Sequence, residues 1–466
     1  MPRCSVISLS FSEIAEAIDG RLVAGDEATV TQGQVFTDSR EVGPGDIFFA
    51  KLGQVDDGHK YLGQVAAVGA SLAIVQKPDL GLSIPQIEVQ DTVIALARLA
   101  RFVLEKARAN SNLKVIGITG SNGKTSTKSM LRTVLSEFGS VIAPKGSYNN
   151  DVGLPLTVLR LDRNTEFLIL EMGASGHGSI ARLAEIAQPD IGLQLKIGLA
   201  HAGKFGGLNE TKKIKAEMLP HIGQVAILNA DDPNVFEMRN RVQNFLLFGY
   251  SELAHLHILE TSIDIDGTKV DFELQGQKRS VHLKTLGEHH AMNAASALLV
   301  VSFLNLDLDR AIKALESLEF AEIGRMQPLR CKSGQIVIND AYNASPESMQ
   351  AALQTLATLG RQGFRTIAVL GGMAELGEFS NEQHDRIGRL AVRYNIDQVV
   401  VIGSEAKLIH MGASQEGSWD GESLFFESIN EAFEHLRGKL GEKDLVLVKA
   451  SNSYGLSGLA EDLAEV

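Results

Sequence analysis

The sequence predicts an α/β protein of three domains: a small N-terminal α/β domain, a central doubly wound domain and a C-terminal Rossmann-like domain. Short β-branched runs alternate with helical patterns through most of the 466 residues, which is typical of parallel sheets. A glycine-rich turn joins one of these runs to a helix. The pattern breaks near residues 90 and 320, so we place the domains at 1–90, 91–319 and 320–466.

The N-terminal segment combines a helix with a β-rich stretch. Residues 11–18 carry apolar side chains on one helical face, and Gly20 is a typical helix stop. An α/β alternation continues over residues 66–75 and 86–89. Residues 91–109 predict a helix that leads into the next domain.

The central segment repeats the alternation and ends differently. Its predicted strands are a short β-branched run that begins at Val115, then 167–170, 191–197 and 225–229. Residues 253–281 have strand-like alternation and an Asp266-Gly267 turn, so they predict antiparallel strands appended to the parallel sheet. Helices are predicted after the glycine-rich turn as far as Gly139, and at 289–304 and 306–318.

The C-terminal segment predicts a second α/β unit with a Rossmann-like layout. Its predicted strands are 335–339, 366–371, 398–402 and 445–449. Its predicted helices are 345–359, 381–394 and 429–440.

Composition excludes several classes of function. The net charge of −13 argues against a nucleic acid polymer as partner, because duplex binding depends on neutralising phosphates. Cys4 and Cys331 do not form a disulfide framework and suit a reducing compartment. Residues 1–14 lack a signal-peptide pattern, and the most apolar stretch, 291–304, is interrupted by polar residues. We therefore expect a cytoplasmic protein without membrane insertion.

The stretch 115–127, VIGITGSNGKTST, carries the strongest chemical signal. Glycines in such a turn let backbone N–H groups point at a polyphosphate, and the helix N-terminus adds its positive dipole end. Lys124 can reach the terminal phosphates and Thr125 can bind Mg²⁺. A strand, loop, Lys-Thr pair and helix in this order favour ATP or GTP over a purely structural turn. Ile118 stands where the common phosphate loop has its first glycine, so this loop is a variant.

Two further residues follow predicted strands of the central segment. Glu171 ends one strand, and His201 follows another. Ligands of doubly wound sheets bind beyond the carboxyl ends of the strands. Together with Thr125, this carboxylate and imidazole could complete a Mg²⁺ site, whose ligands are mainly oxygen atoms. Taken alone, Glu171 could be a surface residue and His201 a structural one.

The loop and the order of the other segments resemble the Mur ligase superfamily over nearly the whole chain. These are ATP-dependent amide-bond-forming enzymes of peptidoglycan synthesis. The segments at 340–346 (DAYNASP) and 371–377 (GGMAELG) are most similar to the ligases that join D-alanyl-D-alanine to UDP-N-acetylmuramoyl-tripeptide. The resemblance implies that 1–90 binds the UDP substrate, 91–319 binds ATP and Mg²⁺, and the protein is a monomer. Another ligase of the superfamily, or a non-catalytic nucleotide-binding homologue, remains an alternative.

The resemblance also implies roles for individual residues. Arg325 matches an arginine that reaches the phosphates, where a guanidinium can stabilise charge during phosphoryl transfer. The implied catalytic residues are Lys124, His201, Lys215 and Arg325. The implied ATP-binding residues are Gly120, Ser121, Asn122, Gly123, Lys124, Thr125, Ser126, Asn293, Arg325 and Asp340.

Lys215 matches a lysine that the superfamily commonly carries in carbamylated form, 14 residues after the histidine. A carbamate is an anion that could support a second Mg²⁺ ion, so the implied metal ligands are Thr125, Glu171, His201 and Lys215. Seen from the sequence alone, the run KKIKAE at 212–217 could equally be a solvated basic face of a helix.

Two short segments resemble substrate contacts of these ligases. Asn149 and Asn150, in SYNNDVG, match a loop that contacts the peptide, although an Asx-turn is an alternative. Ser39 and Arg40, in DSR, match the part that holds the uridine nucleotide. Arginine suits a diphosphate because its fork pairs with phosphate through two hydrogen bonds, but a surface turn would have the same letters.

Five positions depart from the residues common in the superfamily. The departures are Lys196 and His290 in place of asparagine, Gly203 in place of glutamate, Gly372 in place of aspartate and Asn452 in place of arginine. The loop residues, Glu171, His201, Lys215 and Arg325 are all present, so the chain does not have the pattern of an inactive homologue. A changed second substrate is compatible with these departures.

Overall fold

The computed structural model describes residues 7–53, 56–109, 111–200, 202–319, 323–417 and 422–465. The first part of the chain is a mixture of short strands and helices. Its strands are Leu9–Ser10 (β1), Arg21–Ala24 (β2), Val30–Thr31 (β3), Val35–Phe36 (β4), Ile47–Phe49 (β5), Leu72–Val75 (β6) and Gln86–Glu88 (β7). Its α-helices are Phe11–Ala17 (α1), Leu62–Ala67 (α2) and Thr92–Ala109 (α3).

The middle part of the chain alternates strands with helices and then forms hairpins. Its strands are Lys114–Thr119 (β8), Ser140–Ile142 (β9), Thr165–Glu171 (β10), Ile191–Gln194 (β11), Val225–Asn229 (β12), Phe245–Gly249 (β13), Leu256–Asp264 (β14), Gly267–Leu274 (β15) and Gln277–Leu283 (β16). Its α-helices are Lys124–Leu135 (α4), Gly153–Val158 (α5), Ser179–Ala187 (α6), Ala202–Phe205 (α7), Leu208–Lys215 (α8), Pro233–Phe236 (α9), Glu288–Phe303 (α10) and Leu308–Ser317 (α11).

The last part of the chain is a second alternating α/β segment. Its strands are Gln327–Arg330 (β17), Ile336–Asn339 (β18), Arg365–Leu370 (β19), Gln398–Ile402 (β20), Ser423–Phe426 (β21) and Asp444–Lys449 (β22). Its α-helices are Pro346–Gly360 (α12), Ser380–Arg393 (α13), Lys407–Glu416 (α14), Ile429–Leu436 (α15) and Leu456–Glu465 (α16).

The chain divides into two compact units, each made of several segments. The first unit comprises Met1–Thr119, Phe138–Gly192 and Glu217–Val225. The second comprises Gly120–Glu137, Leu193–Ala216 and Ala226–Val466. The predicted domain boundaries near residues 90 and 320 stay a prediction.

The first unit contains a sheet with strand order β2-β7-β6-β5-β4, in which only β2 runs antiparallel to its neighbour. It also contains the parallel set β8-β10-β9. Helix α1 begins where the sequence predicts, because Ser10 accepts a hydrogen bond from the Glu13 N–H while the Glu13 carboxylate accepts one from the Ser10 N–H. The parallel strands β6, β8 and β10 are almost wholly apolar and buried, as expected for a parallel sheet covered on both faces.

The second unit contains two sets of strands. Strands β12, β13 and β14 run parallel, β14 and β15 then form an antiparallel hairpin at the predicted Asp266-Gly267 turn, and β16 pairs antiparallel with β15. The other set has the order β17-β18-β22-β19-β20-β21, in which β17 alone is antiparallel. Helices α12 and α13 pack on one face of this sheet and α15 and α16 on the other, which is the predicted Rossmann-like layering.

One strand is shorter than predicted. The sequence predicts a strand over 191–197, but β11 ends at Gln194. The next two carbonyl groups are taken by partners distant in sequence: the Asn229 side chain donates to the Leu195 carbonyl at 2.7 Å, and the Ser121 N–H donates to the Lys196 carbonyl at 2.7 Å. The prediction was wrong here because the bonds that end the strand are not local.

Candidate active site

The glycine-rich loop connects β8 to α4, as the sequence predicts. Gly123 is the N-cap of α4 and has φ of +88°, a left-handed conformation that favours glycine. Ser121 fixes the loop to the segment after β11. Its N–H donates to the Lys196 carbonyl, and its hydroxyl accepts a hydrogen bond from the Gly198 N–H at 2.9 Å. The loop is therefore held in shape by bonds to the main chain.

A hydroxyl at the start of the helix that follows the loop contacts an arginine from far along the chain. Lys124 Nζ donates to the Gly120 carbonyl at 2.8 Å. Thr125 is buried, and its Oγ1 lies 3.4 Å from Nη2 of Arg325. The guanidinium of Arg325 also lies over the Tyr342 ring, 4.4 Å from its centroid, where the ring face attracts a cation. The structure thus brings together the predicted Lys124, Thr125 and Arg325.

Asp340 lies beside this arginine. Its Oδ1 accepts the N–H of Met326, the residue after Arg325, at 3.1 Å. Its Oδ2 pairs with Nζ of Lys449 at 2.6 Å. Lys449 was not predicted from the sequence as a site residue, although this lysine ends a strand of a Rossmann-like sheet, where functional residues are expected.

Helix α12 packs with its N-terminus against the loop. The Ser345 hydroxyl caps α12 and donates to Oδ1 of Asn122 at 3.2 Å. Oε1 of Glu347 accepts the Leu199 N–H at 2.7 Å. The C-terminal α/β segment therefore contacts both the loop and the chain that follows β11.

A cavity of about 650 Å³ opens between these elements and is large enough for a nucleotide. Of the predicted ATP-binding residues, those that line it are Asn122, Gly123, Ser126, Asn293, Arg325 and Asp340. Lys196, His290 and Lys449 line it as well. The lining combines apolar side chains with many polar groups, among them three cationic residues and the carboxylates Asp231, Asp232, Glu288, Asp340 and Glu347.

Three polar side chains of α10 face this cavity: His290 and Asn293 are buried, and His289 is half-buried. Burial lowers the pKa of His289 to about 4, with the charge of Lys449 as the next cause. Burial also lowers the pKa of His290 far below its ordinary value, so both imidazoles are neutral at pH 7. Among the described atoms, neither ring nitrogen of His290 nor Nδ2 of Asn293 has a hydrogen-bond partner. Neutral, buried groups of this kind suit hydrogen bonding to a bound ligand.

The three lysines at the end of α8 differ in environment. Lys215, the last residue of the helix, is only 3% exposed, whereas the Lys213 side chain is exposed and pairs with Glu210. Lys212 pairs with Glu237. A solvated basic face therefore describes Lys213 but not Lys215, and a buried lysine is a candidate for a modified or perturbed group.

In the first unit, Glu171 is fully buried at the carboxyl end of β10. The Asn149 carbonyl accepts the Gly173 N–H at 2.8 Å, so the asparagine loop lies just beyond that strand. Oδ1 of Asn150 accepts the N–H groups of Val152 and Gly153, the latter at 2.8 Å. Asn150 thus makes the local Asx-turn that was the alternative to a contact with the peptide.

Ser39 and Arg40 lie between β4 and β5. Ser39 is buried, whereas the Arg40 side chain is exposed and its Nη2 lies 2.6 Å from Oδ2 of Asp38. This hydrogen bond is the main reason that the pKa of Asp38 falls to about 2. An exposed guanidinium is available to an anionic substrate.

The predicted metal set is only partly described, because His201 lies outside the described residues. Within the described ranges, no group of three His, Cys, Asp or Glu side chains could hold a metal ion. The hydroxyl of Thr125 and the buried carboxylate of Glu171 are still oxygen donors of the kind that Mg²⁺ prefers. In the part of the chain that the structure describes, no helix is both long and apolar enough to cross a membrane.

Two departures from the common family residues have a steric reason. A Cβ on Gly203 would collide with the backbone N of Gly377, so no side chain fits there. At Gly372 the ring of Tyr454 occupies the space of a side chain. Lys196 contributes its carbonyl to the loop, a bond that any residue could make.

Comparison with known proteins decides the family. The model of the Mur ligase middle domain matches residues 118–301, and that of the "Mur ligase, glutamate ligase domain" matches residues 324–452. The UDP-N-acetylmuramoyl-tripeptide–D-alanyl-D-alanine ligase of Mycobacterium bovis is 37% identical to the chain and is aligned over 98% of both proteins. The chain belongs to the Mur ligase family.

Solved Mur ligases share its fold over almost the whole length. Crystal structure I of MurF from Acinetobacter baumannii superposes with a TM-score of 0.90 at 30% identity and covers 99% of both chains. The MurF ligase of Thermotoga maritima, solved in complex with ADP, has a TM-score of 0.81 at 30% identity and covers 92% of this chain and 98% of its own. The three-domain α/β class predicted from the sequence is the Mur ligase fold, and the relationship is to its MurF type.

Proposed function

We propose that the chain is an ATP-dependent ligase that joins D-alanyl-D-alanine to the terminal carboxylate of UDP-N-acetylmuramoyl-tripeptide in peptidoglycan synthesis. One observation carries this proposal: Arg325 contacts Thr125 of the phosphate loop beside a cavity large enough for a nucleotide. The full-length relative from Mycobacterium bovis carries this activity in its name.

The proposed chemistry follows from the difficulty of condensing a carboxylate with an amine at neutral pH. The substrate carboxylate attacks the γ-phosphate of ATP, and ADP leaves with the electron pair of the broken bond, giving an acyl phosphate. The dipeptide amine then attacks the acyl carbon, loses a proton and expels phosphate. Lys124 and Arg325 stabilise the negative charge of the first step, since both are held next to the loop.

For ATP, we propose the loop residues Gly120, Ser121, Lys124 and Thr125 together with the predicted residues that line the cavity: Asn122, Gly123, Ser126, Asn293, Arg325 and Asp340. His290, which replaces an asparagine common in the superfamily, is neutral and would line the ATP site beside Asn293. For Mg²⁺, we propose Thr125, Glu171, His201 and a carbamylated Lys215. The cation would neutralise phosphate charge during transfer.

For the peptide and nucleotide substrate, we propose Asn149 and Asn150 in one loop and Ser39 and Arg40 in another. The exposure of Arg40 supports a contact with the diphosphate. We also retain as proposals the domain boundaries at 90 and 320, a monomeric protein and a cytoplasmic location.

The deciding assay is phosphate release from ATP with UDP-N-acetylmuramoyl-tripeptide, with and without D-alanyl-D-alanine. Release that requires both substrates supports the proposal, and Lys124→Met should abolish it. Release with a different amine instead would select another ligase of the family. ATP binding without turnover would select a non-catalytic homologue.

A further inference from the structure

Lys449 and Asp340 form a buried ion pair at the carboxyl ends of β22 and β18. Nζ of Lys449 lies 2.6 Å from Oδ2 of Asp340, and the two side chains are only 2% and 13% exposed. The residues are 109 positions apart, so the pair exists only because the two strands are neighbours in the sheet. Charge-assisted hydrogen bonds of this kind are short and strongly directional.

The pair is connected to the turn that carries Arg325. Oδ1 of Asp340 accepts the Met326 N–H at 3.1 Å. Met326 has φ of +48°, which is unusual for a residue with a side chain and needs support from its surroundings. The Gly324 carbonyl accepts the Tyr342 N–H at 3.2 Å. Both neighbours of Arg325 are therefore bonded to the segment that begins at Asp340.

The hydrogen-bonding capacity of Lys449 is already used within the protein. Its ammonium group has three N–H donors, and three acceptors lie near it: Oδ2 of Asp340, the Asn343 carbonyl at 2.9 Å and the Asp340 carbonyl at 3.5 Å. Although Lys449 lines the cavity, these bonds direct it toward the 340–343 segment and not toward a ligand. Its position indicates that it fixes this segment.

We propose that Lys449 is a positioning residue that acts through Asp340 and Met326 to hold the Arg325 guanidinium at Thr125. This inference rests on the proposed role of Arg325 in phosphoryl transfer. Without Lys449, Asp340 would be a buried carboxylate without its cationic partner and would be drawn toward water, releasing the Met326 turn. Arg325 would then sample positions away from Thr125, and a small displacement of a charge-stabilising group slows the chemical step strongly.

The test uses the full-length enzyme and three single variants. Lys449→Met and Asp340→Asn each weaken the pair, and Asp340→Asn keeps the size of the side chain and an oxygen for Met326. Asp444→Asn is the matched control, because Asp444 pairs with Arg365 at the opposite end of the same strand. We expect kcat to fall roughly 10- to 100-fold for the first two variants, KM for ATP to change less than about threefold for Lys449→Met, and Asp444→Asn to keep the original kcat.

A double variant separates positioning from direct contact. If Lys449 acts through Arg325, adding Lys449→Met to Arg325→Ala causes no further loss of kcat. A further loss in that background would show a direct contact with substrate and overturn the inference, as would a folded Lys449→Met enzyme with full kcat. If Lys449→Met does not fold, Lys449→Gln, which keeps a hydrogen-bond donor but loses the charge, decides in the same cycle. Full activity of Arg325→Ala would also overturn the inference. The proposed ligase function would still hold in that case, provided that phosphate release requires both substrates.

Discussion

Asn293 on α10 closes the space next to Gly123 at the end of the phosphate loop. A Cβ on Gly123 would lie 2.7 Å from Oδ1 of Asn293, closer than side-chain atoms approach each other, and the glycine has a positive φ. The loop and the helix are thus fitted to one another at a position where only a hydrogen atom has room. The proposed ATP site depends on this fit.

Gly123→Ala should disable the phosphate loop. The substitution combines the strain of a left-handed alanine with displacement of Asn293. We expect kcat/KM for ATP to fall at least roughly 100-fold, because the loop amides no longer point at the phosphates. Steady-state kinetics with varied ATP measure the change. The control is Gly458→Ala in α16, where a Cβ meets no atom within 4 Å and full activity is expected; normal kinetics for Gly123→Ala would contradict the assignment.

Lys215 and Lys213 should respond differently to substitution by alanine. Lys215 is buried at the end of α8 and Lys213 is exposed, so only the first can support the proposed metal site. We expect Lys215→Ala to reduce phosphate release at least roughly 100-fold and Lys213→Ala to leave it within about twofold. Mass spectrometry of the enzyme with ATP and Mg²⁺ should show a carbamate on Lys215. An unmodified lysine in an active complex would rule the carbamate out.

Two histidines of α10, His289 and His290, should make stability depend on pH. The pKa of His290 is lowered by burial, so on acidification the unfolded chain binds a proton at about pH 6.5 while the folded chain does not. Stability is therefore lost as the pH falls below about 6.5, and the lowered pKa of His289 adds to this loss between about pH 6.5 and 4. His290→Asn should reduce the slope of the free energy of unfolding between pH 6.5 and 5 by up to about 1.4 kcal/mol per pH unit.

Denaturant unfolding at several pH values measures that slope. His282→Asn provides the control for the same replacement of histidine by asparagine at an exposed position, on β16. Equal slopes for the His290 variant and the original enzyme would show that His290 is protonated in the folded state.

Arg40→Ala should affect substrate binding without affecting stability. The Arg40–Asp38 pair is exposed, and surface ion pairs contribute little to folding. If Arg40 holds the diphosphate, KM for the UDP substrate should rise about tenfold while the melting temperature stays constant. Arg21→Ala is matched to it, because Arg21 also belongs to an exposed pair in the first unit. An equal effect of both substitutions on KM would argue for general charge attraction and against a specific contact.

Local patterns were sufficient for much of the fold. Helix α12 was predicted at 345–359 and spans Pro346–Gly360, because a serine cap and a proline mark its start. The strand predicted at 225–229 agrees residue for residue with β12. The sequence did not predict β9, β17, β21 or α14; the first three are strands of three or four residues, which are too short for a clear period.

The candidate site was predictable where its residues share one motif. Lys124 and Thr125 follow from the loop alone, since their spacing from the glycines has a direct chemical meaning. Lys449 was missed because its importance comes from Asp340, which meets it only across neighbouring strands. The sequence KKIK at 212–215 likewise did not indicate which of its three lysines is buried.

By itself the sequence determined the α/β class, the phosphate loop and the resemblance to Mur ligases. These features are encoded by neighbouring residues, whose identities determine the local backbone geometry. Only the tertiary structure decided that Arg325 meets Thr125, that Asn293 closes against Gly123 and that Lys449 is bonded to Asp340. Such contacts join residues more than 100 positions apart, and their distances are set by the packing of sheets and helices, which no short stretch of sequence contains.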